Sequence, residues 1–283
     1  MTHEMAMGNN GFEGWYFKHQ HNGKTVAFIP GRAKSGPFIQ VIDNDTSLHF
    51  DIPSLRQEQG VIYAGDCVFS KLGASIKLPG ITGSIRYGPF TSLRSPIMGP
   101  FRYLPMECRH EVISMGHDLH GSLMMDGQAV DFEGGKGYIE SDSGISFPRS
   151  YLWLQCNAFS APCSVMVSIA SIPFAGLRFT GCICAIIHSG REYRLATYRG
   201  VRILSAGPER IELAQGNLLL TIDIVRTASG HPLRAPVRGR MNGIIRENNH
   251  TYARCKLWES GAQVFDLESE NAGYEYVMDA NPG

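Results

Sequence analysis

Short runs in which apolar and polar residues alternate recur along the whole chain, and turns rich in Gly, Asn and Asp separate them. Successive side chains of a strand point to opposite faces of a sheet, so this period of two predicts half-buried strands. No apolar pattern with helical spacing persists for longer than about two turns. Regularly spaced short strands with turn signals are typical of an all-β barrel or sandwich. The clearest runs are residues 26–30, 38–42, 47–51, 181–187 and 218–225.

The two halves of the chain resemble each other. Residues 123–138 are similar to residues 257–274, and the strand around Trp15 corresponds to the one around Trp153 at nearly the same spacing. Two matches at similar spacing indicate a tandem duplication, with chance similarity between two β-hairpins as the alternative. We therefore predict an all-β fold of two tandem lipocalin-like antiparallel β-barrels, formed by residues 1–142 and 143–283.

The first aromatic strand, residues 12–18, has a carboxylate on the same face as a tryptophan. Alternation places Glu13, Trp15 and Phe17 together on that face. A carboxylate beside Trp on an inward face is desolvated and keeps its proton, as a proton donor to an alkene must. The alternative is a structural ion pair between Glu13 and an Arg or Lys.

The corresponding strand of the second half has two different faces. Leu152, Leu154 and Cys156 form an ordinary core face, while the opposite face carries Tyr151, Trp153, Gln155 and Asn157. The second set is too polar for a dry core and too aromatic for a typical solvent face. It favours a pocket wall, with Gln155 and Asn157 available to hydrogen-bond a ligand hydroxyl. A buried polar network joining the two barrels is the alternative.

Further candidates lie near the end of the first half. Tyr138 and Glu140 share a strand face, and the second half has Tyr276 where the first has Glu140, so only one copy keeps the carboxylate. Asp142 adds a second acid, although an Asp before Gly is often a turn residue. His110 could relay protons or could be a satisfied structural histidine.

We predict no metal site and no cofactor. His117 and His120 have metal-ligand spacing only on a helix, and the flanking Gly116 and Gly121 favour a loop there. Seven cysteines without C-x-x-C spacing indicate reduced, buried thiols. The chain also has no G-x-S-x-G elbow, P-loop or strand-linked G-x-G-x-x-G, so hydrolase, NTPase and dinucleotide functions lack support.

Charge and hydropathy restrict the classes of partner that we expect. The chain has 26 Lys and Arg against 26 Asp and Glu, with no basic block, so nucleic acid is not an expected partner. The apolar stretches are too short to span a bilayer, and the N-terminus does not read as a secretory signal. We expect a cytoplasmic protein without an integral membrane segment, with at most transient membrane contact to collect substrate. Its oligomeric state is not predicted.

Several segments resemble the tocopherol cyclase family. They are FEGWYFK at 12–18, the stretch from Lys136 to Asn157 that contains FPRSYLWLQCN, PLRAP at 232–236, and residues 258–274. The resemblance covers most of the chain and indicates a bacterial-type member with duplicated lipocalin-like barrels. Plant-type members carry a Trp where this chain has Ser143, which puts the specific substrate in doubt.

The resemblance implies closure of a chromanol ring by protonation of a prenyl alkene and addition of the phenol oxygen. It implies Glu140 or Glu13 as the acid, an aromatic cage of Trp15, Trp153 and Tyr138, and Gln155 with Asn157 orienting the ring. We therefore expect a hydrophobic small molecule, such as a prenylquinol or polyene, as partner. A non-catalytic carrier and a related alkene hydratase or pericyclase remain the alternatives.

Overall fold

The computed structural model describes residues 11–174, 176–226 and 229–278, and strands dominate it. Two short 3-10 helices, Gly99–Tyr103 and Thr197–Arg199, are its described helical segments. The strands are β1 Phe12–His21, β2 Lys24–Ala33, β3 Gly36–Asp43, β4 Ser47–Asp51, β5 Leu55–Glu58, β6 Val61–Ala64, β7 Cys67–Ser70, β8 Gly73–Leu78, β9 Ile81–Tyr87, β10 Cys108–Met125, β11 Gln128–Asp131, β12 Lys136–Gly144, β13 Tyr151–Cys156, β14 Cys163–Phe174, β15 Leu177–His188, β16 Arg191–Ala196, β17 Arg202–Ala206, β18 Arg210–Gln215, β19 Leu218–Arg226, β20 His231–Val237, β21 Arg240–Glu259 and β22 Ala262–Val277.

The strands form two antiparallel sheets. The first runs in the order β4-β3-β2-β1-β12-β10-β9-β8-β7-β6-β5, with β11 beside β10. The second runs β16-β15-β14-β13-β22-β21-β19-β18-β17, with β20 beside β21. Most neighbours are joined by hairpins, while β1 meets β12 and β13 meets β22 across a long stretch of chain. The all-β antiparallel prediction is confirmed.

The first sheet curls around its own apolar core. Phe17 on β1 lies with its ring centroid 4.9 Å from that of Phe69 on β7, although these strands are far apart in the sheet order. Phe28 on β2 also contacts Phe69. One core cluster includes Trp15, Phe17, Ile139 and residues from both ends of the sheet. The inner face of this sheet is therefore the face of Trp15.

The second sheet encloses a separate core. Leu152, Leu154 and Cys156 of β13 pack there with Tyr274 of β22, and residues from strands at both ends of the sheet join them. The predicted core face of β13 is confirmed. Its other face carries Trp153 and Gln155, which are also buried.

The chain forms two compact units that are discontinuous along the sequence. Among described residues, the first comprises 11–92, 110–146 and 233–243; the second comprises the remainder, including 93–109. The segment 233–243 is bound within the first unit, where Gln40 accepts a hydrogen bond from the backbone of Arg234 and donates one in return. The longest parts of the two units meet at residues 146 and 147, close to the predicted boundary. A division into folding domains at 142 and 143 stays a prediction.

Candidate active site

A histidine and two carboxylates meet on two neighbouring strands of the first unit. His110 lies near the start of β10, and Glu140 and Asp142 lie two positions apart on β12, so both carboxylates project from one face. His110 Nδ1 is 2.9 Å from Asp142 Oδ1, and His110 Nε2 is 3.4 Å from Glu140 Oε2. The imidazole therefore lies between two acids, one on each ring nitrogen.

Opposing effects set the protonation state of His110. Burial favours the neutral ring and lowers its pKa. The negative charges of Glu140 and Asp142 and the hydrogen bond to Asp142 raise the pKa, and together they outweigh burial. The net effect raises the pKa of His110 to about 9. An imidazolium held between two carboxylates is the dominant form at neutral pH, and the cluster keeps an exchangeable proton in a buried place.

Tyr138 completes the cluster. Its hydroxyl donates a hydrogen bond to Glu140 Oε2 at 2.5 Å, and the residue is fully buried. Burial, with the nearby Glu140 charge, raises the pKa of Tyr138 well above its ordinary value. Tyr138 is therefore a neutral donor to Glu140. These four residues, His110, Tyr138, Glu140 and Asp142, are called the proton cluster below.

Glu13 and Trp15 lie on the opposite face of the same sheet. Cross-strand partners share a face, and the register pairs Tyr16 with Glu140 and Trp15 with Ser141. Trp15 belongs to the inner core cluster. The structure thus brings His110, Tyr138 and Glu140 together but does not bring Trp15 into contact with them through the sheet.

The carboxylate of Glu13 takes the structural alternative. Arg32 on β2 donates two hydrogen bonds to Glu13 Oε2, from Nε at 3.1 Å and from Nη2 at 2.9 Å. Such a paired contact fits an ionised carboxylate. The pair ties β1 to β2, and the catalytic role of Glu13 stays a prediction.

The predicted ligand-binding face of β13 is polar and buried in the second unit. Gln155 is fully buried and Asn157 and Trp153 are nearly so. The Tyr151 hydroxyl on the same face donates to Glu275 Oε2 at 2.5 Å. Tyr151, Trp153 and Gln155 share one face of β13, as predicted, while Asn157 follows the end of the strand. Their role in binding a ligand stays a prediction.

The prediction that Tyr276 of the second half occupies the position of Glu140 in the first half is wrong by one residue. Tyr276 packs against the core of the second unit, whereas Glu140 lies on the face opposite the core of the first. Glu275, paired with Trp153, occupies the face that corresponds to that of Glu140. Both halves therefore keep a carboxylate hydrogen-bonded by a Tyr on the outer face. Sequence similarity missed this because a slip of one residue along a strand reverses the face.

The buried histidines His19 and His117 were missed by sequence reasoning. The segment around His117 was predicted to be a loop, but it lies within β10. His117 contacts the ring of Tyr87 with centroids 4.6 Å apart, and His19 Nε2 lies 2.7 Å from the Tyr87 hydroxyl. Burial lowers the pKa of His19 to about 4 and that of His117 to about 3. Both rings are therefore neutral core groups rather than a proton source.

The proton cluster also has the donor atoms of a metal site. One ligand atom each from His110, Glu140 and Asp142 lies within 4.8 Å of the others. A divalent cation there would have to displace the proton of His110, whose raised pKa opposes this at neutral pH. The absence of a metal from this cluster stays a prediction.

Residues 80–277 match the family model described as tocopherol cyclase-like. A probable chloroplastic tocopherol cyclase of Oryza sativa subsp. japonica is 26% identical over 208 residues, which cover 67% of this chain and 44% of that protein. The chloroplastic tocopherol cyclase of Zea mays is 26% identical over 173 residues, covering 55% and 36%. The chain thus matches less than half the length of these relatives.

Solved structures share the fold. The crystal structure of CghA with Sch210972 aligns with a TM-score of 0.60 at 13% identity, covering 96% of this chain and 90% of that one. Kievitone hydratase from Nectria haematococca aligns with a TM-score of 0.53 at 10% identity, covering 94% and 89%. The lipocalin-like fold prediction is confirmed.

Among the described residues, no helix is long and apolar enough to cross a bilayer.

Proposed function

The chain belongs to the tocopherol cyclase-like family, and we propose that it is an enzyme that starts the cyclisation of a prenylated quinol or similar polyene by protonating an alkene. The observation that supports this most directly is the partly buried proton cluster, in which His110 contacts Glu140 and Asp142 on its two nitrogens. A protein that only carries a hydrophobic small molecule does not need this cluster. Removing two acids and an imidazole from water costs folding free energy, and binding a lipid does not offset that cost.

The residues of the proton cluster have separate roles in proton transfer. Asp142 fixes the imidazole through Nδ1 and stabilises its charge, in the way a carboxylate orients a catalytic histidine. His110 Nε2 lies 3.4 Å from Glu140 Oε2, close enough for a small movement to pass its proton to Glu140 after Glu140 has given a proton away. Tyr138 donates to the same carboxylate and stabilises it once it is ionised.

The proposed reaction returns the proton that it uses. The proton of the His110 imidazolium passes to Glu140 and from there to the less substituted alkene carbon, which leaves a tertiary cation and a neutral imidazole. The phenol oxygen adds to that cation, a C–O bond forms, and the phenol proton returns to the Glu140–His110 pair. Substrate and product are isomers, so the cycle balances without an oxidant or reductant. Glu13, held by Arg32, is the alternative acid.

A related hydratase or pericyclase is the second candidate. The shared fold with CghA and with a protein described as a hydratase supports it, because the same acid can serve water addition to the cation. Incubation of the protein with a panel of prenylated hydroquinones in D2O separates these reactions by mass. We expect an isomer carrying one deuterium on carbon. Hydration would add a whole D2O, and a pericyclic reaction would give an isomer without carbon-bound deuterium.

Matched variants identify the acid. We expect Glu140→Gln to lower turnover at least about 100-fold, the usual contribution of a general acid, and Glu13→Gln to leave turnover within a few-fold of wild type. The reverse result would assign the acid to Glu13. Binding of the panel without turnover by the wild-type protein would instead support the carrier.

A further inference from the structure

A β-bulge in the second unit places a buried amide beside Gln155. Between the pairs Asn248–Tyr274 and Thr251–Ala272, strand β21 has two residues where β22 has only Gly273. Bulges of this kind re-aim a side chain and occur often next to binding sites. The extra residue in β21 brings Asn249 and His250 opposite Gly273.

Asn249 lies opposite Gly273 in the bulge, and residues opposite each other on neighbouring strands share a face. Ala272 and Tyr274 on either side of Gly273 pack in the core, so Gly273 and Asn249 lie on the other face, which is that of the predicted pocket wall. Gly273 pairs on its other side with Gln155. Gln155 and Asn249 thus flank a glycine, with neighbouring strands about 5 Å apart. Gly273 places no side chain between the two amides.

The amide of Asn249 is buried at a cost. Asn249 is 2% exposed, and among the described residues neither its Oδ1 nor its Nδ2 has a hydrogen-bond partner. A buried amide without partners at both ends destabilises a fold, and such a group calls for an explanation. By contrast, the neighbouring Asn248 accepts a hydrogen bond from the backbone of His250 at 2.8 Å.

We propose that Asn249, together with Gln155, binds the hydroxyl of a phenolic head group above Gly273. A hydroxyl both donates and accepts, so it satisfies an amide that offers one acceptor and one donor pair. Trp153, two residues from Gln155 on the same face, supplies aromatic surface near this position. The inference rests on the proposed function in taking the ligand to be a quinol, but it concerns binding and not turnover.

The test compares the binding of two probe molecules by the wild-type protein and by an Asn249 variant. Geranylhydroquinone can donate and accept at its ring oxygens, whereas its dimethyl ether can only accept. Calorimetric titration of the wild-type protein should show about tenfold weaker binding of the ether, as expected for loss of one good hydrogen bond in a buried site. Asn249→Leu should bind both probes with similar affinity.

Stability without ligand gives a second readout. Removing an unpartnered buried amide should raise the Tm of Asn249→Leu by about 2–4 °C, as for other substitutions of moderate effect in a protein of this size. Asn248→Leu, which removes a satisfied amide, should lower it. Asn249→Ala is the second variant if leucine disturbs the packing.

Two results would overturn the proposal. One is a preference for the hydroquinone that persists in both Asn249 variants. The other is a Tm that falls in both Asn249 variants as far as in Asn248→Leu, since this would mean a structural water satisfies the amide. Titrations repeated on Glu140→Gln keep the two proposals separate, because binding by Asn249 does not require turnover.

Discussion

His110 Nδ1 lies 2.9 Å from Asp142 Oδ1, across two neighbouring strands that are separated by 32 residues of chain. The contact joins a ring that burial alone would keep neutral to a carboxylate that favours its charge. After Glu140, Asp142 is therefore the residue that contributes most to keeping His110 charged. The relationship leads directly to a titration experiment.

Asp142→Asn should lower the pKa of His110 from about 9 towards its ordinary value of 6.5. The substitution removes both the negative charge and the bond that stabilises the imidazolium, while burial continues to favour the neutral ring. The titration is measured from the NMR shift of the His110 ring protons. Glu140→Gln should act in the same direction, and a His110 pKa unchanged in both variants would contradict the assignment.

Stability should pass through a maximum near pH 6.5. His19 and His117 have pKa values lowered by burial to about 4 and about 3, so below pH 6.5 the unfolded chain binds protons that the folded chain does not. Stability is then lost as pH falls from 6.5, by an amount on the order of 3 kcal/mol for His19 alone. His110, with its pKa raised to about 9, contributes stability that is lost as pH rises from 6.5 through 9.

Urea unfolding at several pH values between 4 and 9 measures this profile. His117→Asn keeps a polar side chain near Ser114, whose Oγ lies 3.0 Å from His117 Nδ1, and should weaken the loss on the acid side. Asp142→Asn should weaken the loss on the alkaline side. A midpoint that does not change across this range would be incompatible with these pKa shifts.

The strand faces were predictable from sequence because they depend only on local alternation. Leu154 and Trp153 lie on opposite faces of β13, and Leu154 alone is in the core, as expected. The meeting of His110 with Glu140 was not predictable, because it depends on β10 lying beside β12. Asp142 had a turn as its alternative but lies within β12.

The register and the bulges are the second limit of sequence reasoning. Glu275 was passed over for Tyr276 because two similar strands can be aligned one residue out of step. Asn249 was not singled out, since the bulge that re-aims it leaves no mark in an alternating pattern. Both positions depend on pairing between distant segments, and local preference for strand structure does not encode it.

Gly137→Ala should destabilise the first unit. A Cβ at position 137 would overlap His117 Nε2 and lie 2.7 Å from its Cε1, inside a packed core where the ring has little room to shift. We expect a loss of about 1–3 kcal/mol in the free energy of unfolding, as for other overpacked cores. Gly14→Ala on β1 is the control, because its nearest atom is Pro30 O at 3.8 Å. Equal urea midpoints for the two variants would disprove the close contact.

Arg194 binds an extended segment within the second unit. Its side chain is 1% exposed, and the guanidinium donates to Ser95 O at 3.1 Å, to Pro96 O at 3.2 Å and to Glu192. Glu192 in turn accepts from the backbone of Arg94 at 2.7 Å. One buried ion pair therefore satisfies three backbone groups of residues 94–96, a segment that forms no strand.

Arg194→Lys should release this segment. Lysine keeps the charge but cannot reach two carbonyls and a carboxylate in one plane, so we expect a loss of about 2 kcal/mol in the free energy of unfolding. Trypsin should then cleave faster at the exposed Arg102, which follows the segment. Arg191→Lys is the matched control, because Arg191 forms an exposed pair with Glu259, and exposed pairs contribute little to stability. Similar cleavage rates in both variants would show that Arg194 does not hold the segment.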